Sequence, residues 1–404
     1  MTTLPTGTAA VEFDPFSPVY FDDPYEMYRR LRDEAPAYYS ERYGFWAISR
    51  WDDVLTAHRD WQTFSSTYGV DLSMLRKGER TGFDSIIMMD PPKHDRLRAL
   101  VSRVFTPRAV AALEPMIRDV IAGYLDGLDG AGGFDAVADF SGPFPVEIIS
   151  RMLGVPEGER QQVRHWLDVM LTREPGEIDP SPAGMAAMAE AAAYFHQLVQ
   201  AKRTDPGDDM LSRLTLVEVD RGDGEMTGLD DVEIAGFATL LGGAGAETVT
   251  KLVANAVVLF ARNPGQWRLL RDDIDGRIGP AVEEILRYYP PSQYQGRYSV
   301  KDTTLHGVTI PAGYPTLLVT GAATRDERAF TDPDRFDITR TPALALGFGY
   351  GIHSCLGAAL ARMESRIAII EVARRWPTYE IDEAGLRRVH MSNVAGYANV
   401  PVHV

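Results

Sequence analysis

The chain has 404 residues, a formal net charge of −16, 45% hydrophobic residues and a single cysteine. One cysteine excludes an intrachain disulfide and a C-x-x-C zinc or iron–sulfur site, and an acidic balance with arginines dispersed among acids opposes nucleic acid as a partner. Apolar residues are spread evenly without a polar linker or internal repeat, which predicts one compact unit over 1–404 with a loosely ordered segment at 1–19.

Residues 23–33 carry an amphipathic helical pattern, and 38–46 read as a hairpin turning at 41–44. Helical periodicity then dominates, over 51–58, 94–104, 107–127, 144–153, 157–171, 183–203, 208–216, 229–262, 264–272, 277–289 and 355–375. Residues 305–310 and 316–320 flank Pro311-Ala312-Gly313 and read as a second hairpin. The fold class is mainly α with a small β part. A helix over 229–262 would be about 50 Å long at ~1.5 Å per residue. Its middle holds Gly242, Gly243 and Gly245, each giving up about 1 kcal/mol relative to alanine. Two readings stand: room made for function, or close approach of a neighbouring helix. No stretch reads as the roughly 18 apolar residues of a membrane span, and the N-terminus lacks a basic region before an apolar core. No membrane anchor is expected, and a reducing cytoplasm fits.

The sole cysteine lies in Phe348-Gly349-Tyr350-Gly351-Ile352-His353-Ser354-Cys355-Leu356-Gly357, a glycine-punctuated loop running into a helical pattern. A helix N-terminus with glycine-freed N–H groups favours the ionised thiol, which is a strong metal ligand. A lone cysteine is otherwise a small buried hydrophobe. The six spaced residues would recur by chance at roughly 10⁻⁹ per starting position, which sets the second reading aside. The loop resembles that of the cytochrome P450 family, matched at Phe348, Gly349, Gly351, His353, Cys355 and Gly357. The resemblance implies the cytochrome P450 fold, with a long central helix over haem b. It implies Cys355 as the axial thiolate on iron, Phe348 and Gly349 about the sulfur, and His353 on a haem propionate.

Further segments resemble the family in its own order. Ala244-Gly245-Ala246-Glu247-Thr248 is similar to the oxygen-binding groove, which implies Ala244 and Gly245 against the cofactor and Thr248 and Glu247 as a proton relay to bound O₂; many members carry Asp where Glu247 stands. Glu284 and Arg287, alone a weak i,i+3 ion pair, match the E-x-x-R motif, with Arg335 as its implied third member. His94 and Arg98, spaced i,i+4, read alone as a surface pair; with the cysteine loop they resemble propionate contacts, as does Arg297. By position in the family pattern, 66–89, 166–190, 240–248, 292–295 and 394–397 surround the substrate. The candidates there are Met88, Met89, Leu240, Gly243, Gln293, Tyr294 and Tyr397, with Val70, Leu72, Met74, Leu75, Phe83, Ile86 and Ile87 as apolar lining and Tyr68 and Gln295 as polar groups.

The implied activity is oxygen insertion into a C–H bond of a small, largely apolar substrate: a lipid, terpenoid, steroid, polyketide or aromatic compound. No G-x-G-x-x-G follows a strand, so electrons must come from outside. The resemblance implies a ferredoxin or flavodoxin with its reductase, docking near Arg103, Arg108, Arg362 and Arg366. A peroxide-driven peroxygenase and a non-enzymatic haem ligand sensor are the alternatives; an intact acid and threonine pair disfavours the first, and the absence of an output domain in the pattern disfavours the second.

Overall fold

The computed structural model describes residues 11–82, 84–220, 226–341, 344 and 346–404. Its spine is the helix Asp231–Arg262, 32 residues long. Asp230 starts it with a capping box: its carboxylate accepts from the Glu233 N–H, and the Glu233 side chain accepts from the Asp230 N–H. One 18-residue window has a mean hydropathy of 1.3, apolar enough to cross a membrane, but 78% of that window is buried inside the protein. The expectation that no stretch is so apolar is therefore corrected. This helix is apolar all round because other helices surround it.

The neighbours are the helices Pro143–Leu153, Arg160–Leu171, Pro182–Thr204 and Ala358–Arg375. The three glycines face these neighbours. A Cβ on Gly242 would meet Leu167 at 3.7 Å and Phe195 at 3.8 Å, one on Gly243 would meet Leu167 at 3.5 Å, and one on Gly245 would meet Ile149 at 3.4 Å. The helix runs unbroken through them. These are ordinary contact distances, so close approach does not by itself require glycine at any of the three, and Gly245 also lines the cavity described below.

Several elements depart from the sequence expectation. The segment expected to be loose is packed from Val11 onward, with Phe13 and Phe16 buried and Ser17 capping the short helix Pro18–Asp22. The single helix expected over 107–127 is two, Pro107–Ala111 and Glu114–Asp126, the second started by Pro115 in its first turn. The hairpin at Pro311-Ala312-Gly313 does not form. Thr303–Leu305 instead pairs with Val308–Ile310 around His306 and Gly307, both at positive φ. Tyr314–Leu318 lies between Phe45–Ile48, parallel, and Gln295–Ser299, antiparallel, in a five-stranded sheet completed by Ala37–Ser40 and Phe64–Ser65. The hairpin Ala37–Ser40 with Phe45–Ile48 forms as expected. Gln295–Ser299 carries Arg297 from this sheet toward the centre of the molecule.

Candidate active site

The cysteine loop is shaped by glycine. Gly349 and Gly351 have φ of 65° and 70°, a conformation that burdens any residue with a Cβ. A Cβ on Gly351 would also collide with the His58 carbonyl oxygen. The loop folds back on itself through Cys355 N–H to the Phe348 carbonyl at 2.8 Å and Ser354 N–H to the Gly351 carbonyl at 3.1 Å. Cys355 thereby faces a cavity of about 290 Å³. Burial pushes its thiol up, while the Gly357 N–H, Arg98 and Arg362 act in the opposite direction.

Beneath the loop lies a buried charge network. Glu284 and Arg287, on the helix Ile274–Tyr288, are joined by two hydrogen bonds of 2.7 and 2.8 Å, with side chains 3% and 7% exposed. Arg287 also donates to the carbonyls of Thr324, Pro333 and Arg335. The cation that approaches Glu284 from outside the helix is Arg340, at 3.4 Å. Arg335 was the expected third member, but its side chain is 65% exposed and pairs with Asp337. It contributes a carbonyl, and Arg340 takes the side-chain role. The network abuts the cysteine loop, since a Cβ on Gly347 would meet the Leu286 carbonyl at 3.0 Å.

Across the cavity the central helix presents Phe237, Leu240, Leu241, Ala244, Gly245, Thr248 and Leu252, spaced as one helical face. Gly243 and Glu247 lie on another face. Gly243 packs against the helix Arg160–Leu171, and Glu247, 4% exposed, pairs with Lys251 at 3.1 Å. The Thr248 hydroxyl donates to the Ala244 carbonyl at 2.9 Å.

One edge of the cavity is cationic and poor in partners. Arg98 and Arg297 line it, donating to the carbonyls of Ser354 at 2.6 Å and Gly296 at 2.7 Å. Burial lowers the pKa of Arg297 to about 10. His353 lines the same edge, with His94 behind it, their rings 4.5 Å apart. His58 joins them, and burial lowers the pKa of His58 to about 3 and of His353 to about 2. Both nitrogens of His58 and the Nε2 atoms of His94 and His353 are buried without a hydrogen-bond partner. Buried donors are nearly always satisfied, so this edge is built for an anion rich in acceptor oxygens. Two carboxylates on an apolar ring meet that need, with the thiol of Cys355 facing the same space.

A family model for cytochrome P450 matches residues 184–378. The chain is 43% identical to the putative cytochrome P450 123 of Mycobacterium tuberculosis over 404 residues, covering 100% of this chain and 99% of that one. The chain belongs to the cytochrome P450 family. A mutant of P450 EryK in complex with erythromycin B superposes with a TM-score of 0.84 at 37% identity, over 94% of this chain and 95% of that one. CYP109E1 from Bacillus megaterium in complex with testosterone superposes at 0.84 with 31% identity, over 94% and 97%. As a P450 the protein is a monooxygenase, and the family implies haem b with a thiolate ligand. The residues present fit that group: a thiol on one face of the cavity and unpartnered donors along its edge.

Several expected pocket residues of this P450 lie elsewhere. Gln293 is wholly buried, accepting from the Tyr28 hydroxyl and donating to the Pro290 carbonyl. Tyr294 is buried in a second apolar cluster and donates to the Ser392 carbonyl. Tyr397 is held by Arg262 and by the Arg388 guanidinium over its ring. The Met89 backbone hydrogen-bonds the His353 ring, and neither Met88 nor Met89 is among the cavity-lining residues, where Ile86 and Ile87 stand. Tyr68 stacks on Tyr298, Leu72 belongs to the second cluster, and Leu75 packs on Gly296. Phe83 lies outside the described residues. Residues 166–190 and 394–397 contribute nothing to the cavity wall among the described residues.

His58 and Glu364 are polar cavity residues that the sequence reading missed. His58 ends an ordinary amphipathic helix, Trp51–Arg59, and nothing local marks it. Glu364, on the helix Ala358–Arg375, lines the cavity with its Oε2 unpartnered, and burial pushes its carboxyl well above the usual range. From the expected stretch 292–295, Ser292 and Gln295 do line the cavity.

Proposed function

We propose that this P450 inserts one oxygen atom of O₂ into a C–H bond of a small, largely apolar molecule that carries an acceptor oxygen. Electrons come from a separate ferredoxin or flavodoxin with its reductase. The balance is RH + O₂ + 2e⁻ + 2H⁺ → ROH + H₂O. The observation that carries this reading is the single cavity onto which Cys355, Thr248 and the cationic edge all open. The haem, when bound, supplies the activation of dioxygen, and thiolate donation from Cys355 favours O–O cleavage.

The chain's own residues do the rest. Arg98, Arg297, His353 and His58 would hold the two carboxylates of the group, with His94 supporting His353 from behind. Ala244 and Gly245 leave room beside it. Thr248 holds a proton at the cavity wall, and Glu247 brings protons to it from the far side of the helix. For Thr248→Ala, substrate binding is expected to persist while product per electron pair falls by about tenfold, with hydrogen peroxide taking up the difference. Coupling as tight as in the parent, measured as product against peroxide, would remove Thr248 from the relay.

Substrate polarity is read at Ser292. Its hydroxyl oxygen accepts from Gln295 Nε2 at 2.9 Å and from Asn393 Nδ2 at 3.3 Å. Both amides are oriented from elsewhere: Gln295 Oε1 accepts from Thr320, and Asn393 Nδ2 also donates to the Tyr294 carbonyl. With both lone pairs engaged, Ser292 has only its proton left to offer the cavity. It therefore favours a ligand with a carbonyl, ether or hydroxyl oxygen. The similar structures holding erythromycin B and testosterone, both apolar frameworks bearing oxygen, support this. Ser292→Ala is expected to weaken a ketone-bearing ligand by about tenfold, the worth of one hydrogen bond, and to leave its deoxy analogue unchanged. Titration of the haem spin state with the two compounds checks it; equal losses would assign Ser292 to packing.

For the electron donor, Arg108 and Arg366 are exposed. Arg362, whose side chain is 38% exposed, also pairs with Glu283 at 2.5 Å and lies over the Phe348 ring. The side chain of Arg103 lies outside the description.

A further inference from the structure

The helix Ile274–Tyr288 carries two adjacent acids that face different partners. Glu284 holds the buried network beneath the cysteine loop, whereas Glu283 reaches Arg362 on the helix Ala358–Arg375. The Glu283 carboxylate accepts from Arg362 Nε at 2.5 Å and from Nη2 at 3.2 Å, one oxygen to each nitrogen. Such a fork fixes the plane of the guanidinium. Arg362 is thereby held over the Phe348 ring, its guanidinium carbon 4.4 Å from the ring centroid. Phe348 lines the cavity with Cys355, and its carbonyl accepts from the Cys355 N–H at 2.8 Å.

Stability does not account for this arrangement. The side chains of Arg362 and Glu283 are 38% and 22% exposed, and an ion pair so open to water contributes little to folding. What the pair does is place a cation. Arg362 does not itself line the cavity, whereas the ring beneath it does. An apolar ring excludes water, so the charge is felt on the cavity side with little screening. Two cations act on Cys355, Arg98 and Arg362. Arg98 belongs to the edge suited to the two carboxylates, which would offset it; Arg362 is offset by Glu283.

We propose that Glu283, Arg362 and Phe348 together set the reduction potential of the iron that Cys355 holds, Arg362 favouring the reduced state and Glu283 opposing it. The inference rests on the reading of Cys355 as the thiolate ligand. Reduction adds one electron, supplied by the ferredoxin or flavodoxin, and no atom, so the site gains one negative charge. A cation fixed beside it stabilises that added charge, and the counter-ion of that cation lessens the effect. Arg362 is thus a positioning residue that acts through the Phe348 ring. Adjacent residues of one helix divide the work: Glu284 locks the support of the loop, and Glu283 trims the charge beside its thiolate.

The test is an equilibrium redox titration of the haem-loaded protein with dithionite and mediator dyes, on the parent, Arg362→Gln, Arg362→Lys and Glu283→Gln. No protein donor is present, so a residue that serves only to dock the donor leaves the potential where it was. At the parental midpoint, Arg362→Gln should lower the ferrous-to-ferric ratio about threefold, roughly 30 mV at ~59 mV per tenfold for one electron. Glu283→Gln should raise the ratio by a similar factor, because the amide still accepts from Arg362 but no longer cancels its charge. Arg362→Lys, which keeps the charge, should stay near the parent. A loop merely loosened by lost packing would shift both glutamine variants the same way. Thermal midpoints should stay close to that of the parent, as befits an exposed pair. Equal potentials across the series, shifts of one sign in Arg362→Gln and Glu283→Gln, or a lysine variant as low as Arg362→Gln would each overturn the proposal. A parent whose reduced carbon monoxide complex lacks the red-shifted Soret band would instead overturn the reading of Cys355 on which it rests.

Discussion

Arg287→Ala is expected to yield little folded, haem-containing protein. The substitution leaves the Glu284 carboxylate buried at 3% side-chain exposure and strips the donor from three carbonyls, those of Thr324, Pro333 and Arg335. Removing one partner of a buried pair costs about 3–5 kcal/mol. A typical native state has only about 5–15 kcal/mol in total. Soluble yield, thermal midpoint and haem content should fall together. The same measurements separate the two candidate third members. Arg340→Ala, which takes away the other cation near Glu284, should destabilise clearly, whereas Arg335→Ala, on a 65% exposed side chain, should be close to neutral. The reverse order would restore Arg335 to the network.

The second large effect is expected at Cys355. Its Sγ faces the cavity and takes no part in core packing, while the loop is held by backbone hydrogen bonds and by Gly349 and Gly351. Cys355→Ser should therefore preserve the fold, with an unchanged far-ultraviolet dichroism spectrum. It should abolish oxygen insertion, because an alcohol does not supply the electron donation of a thiolate. Retained insertion in that variant would mean that another residue holds the iron.

The parts of this site legible in the sequence are those where backbone conformation demands a particular residue. Gly349 and Gly351 sit at positive φ, and Gly351 also lies against the His58 backbone, so the loop's spacing had to be written in glycine. The 3.6-residue period likewise marked the long helices, because each buries a stripe of apolar side chains. What stayed hidden depends on orientation at fixed chain position. Gly243 and Glu247 are neighbours in sequence of cavity residues, yet a rotation of about 100° per residue turns them onto the opposite face. Arg335 and Arg340 share one turn-rich segment, and only the fold decides which gives its carbonyl and which its guanidinium. Gln293 and Tyr294 stand between Ser292 and Gln295 but bond to Tyr28 and Ser392, contacts made far away in sequence. The strands from 380 to 403 are two or three residues long, too short to show a period of two.

His58 shows the same limit from the other side. Its two unpartnered nitrogens gain meaning only beside Arg297 and His353, which come from a strand and a loop more than 200 residues later. The sequence carries no local trace of that meeting.

Thiolate ligation of the haem iron by Cys355 underlies all of this chemistry as proposed. The most direct measurement is the absorption spectrum of the dithionite-reduced protein under carbon monoxide. A strongly red-shifted Soret band is expected in the parent, lost in Cys355→Ser. A band at the position typical of histidine ligation in the intact, folded parent would contradict it.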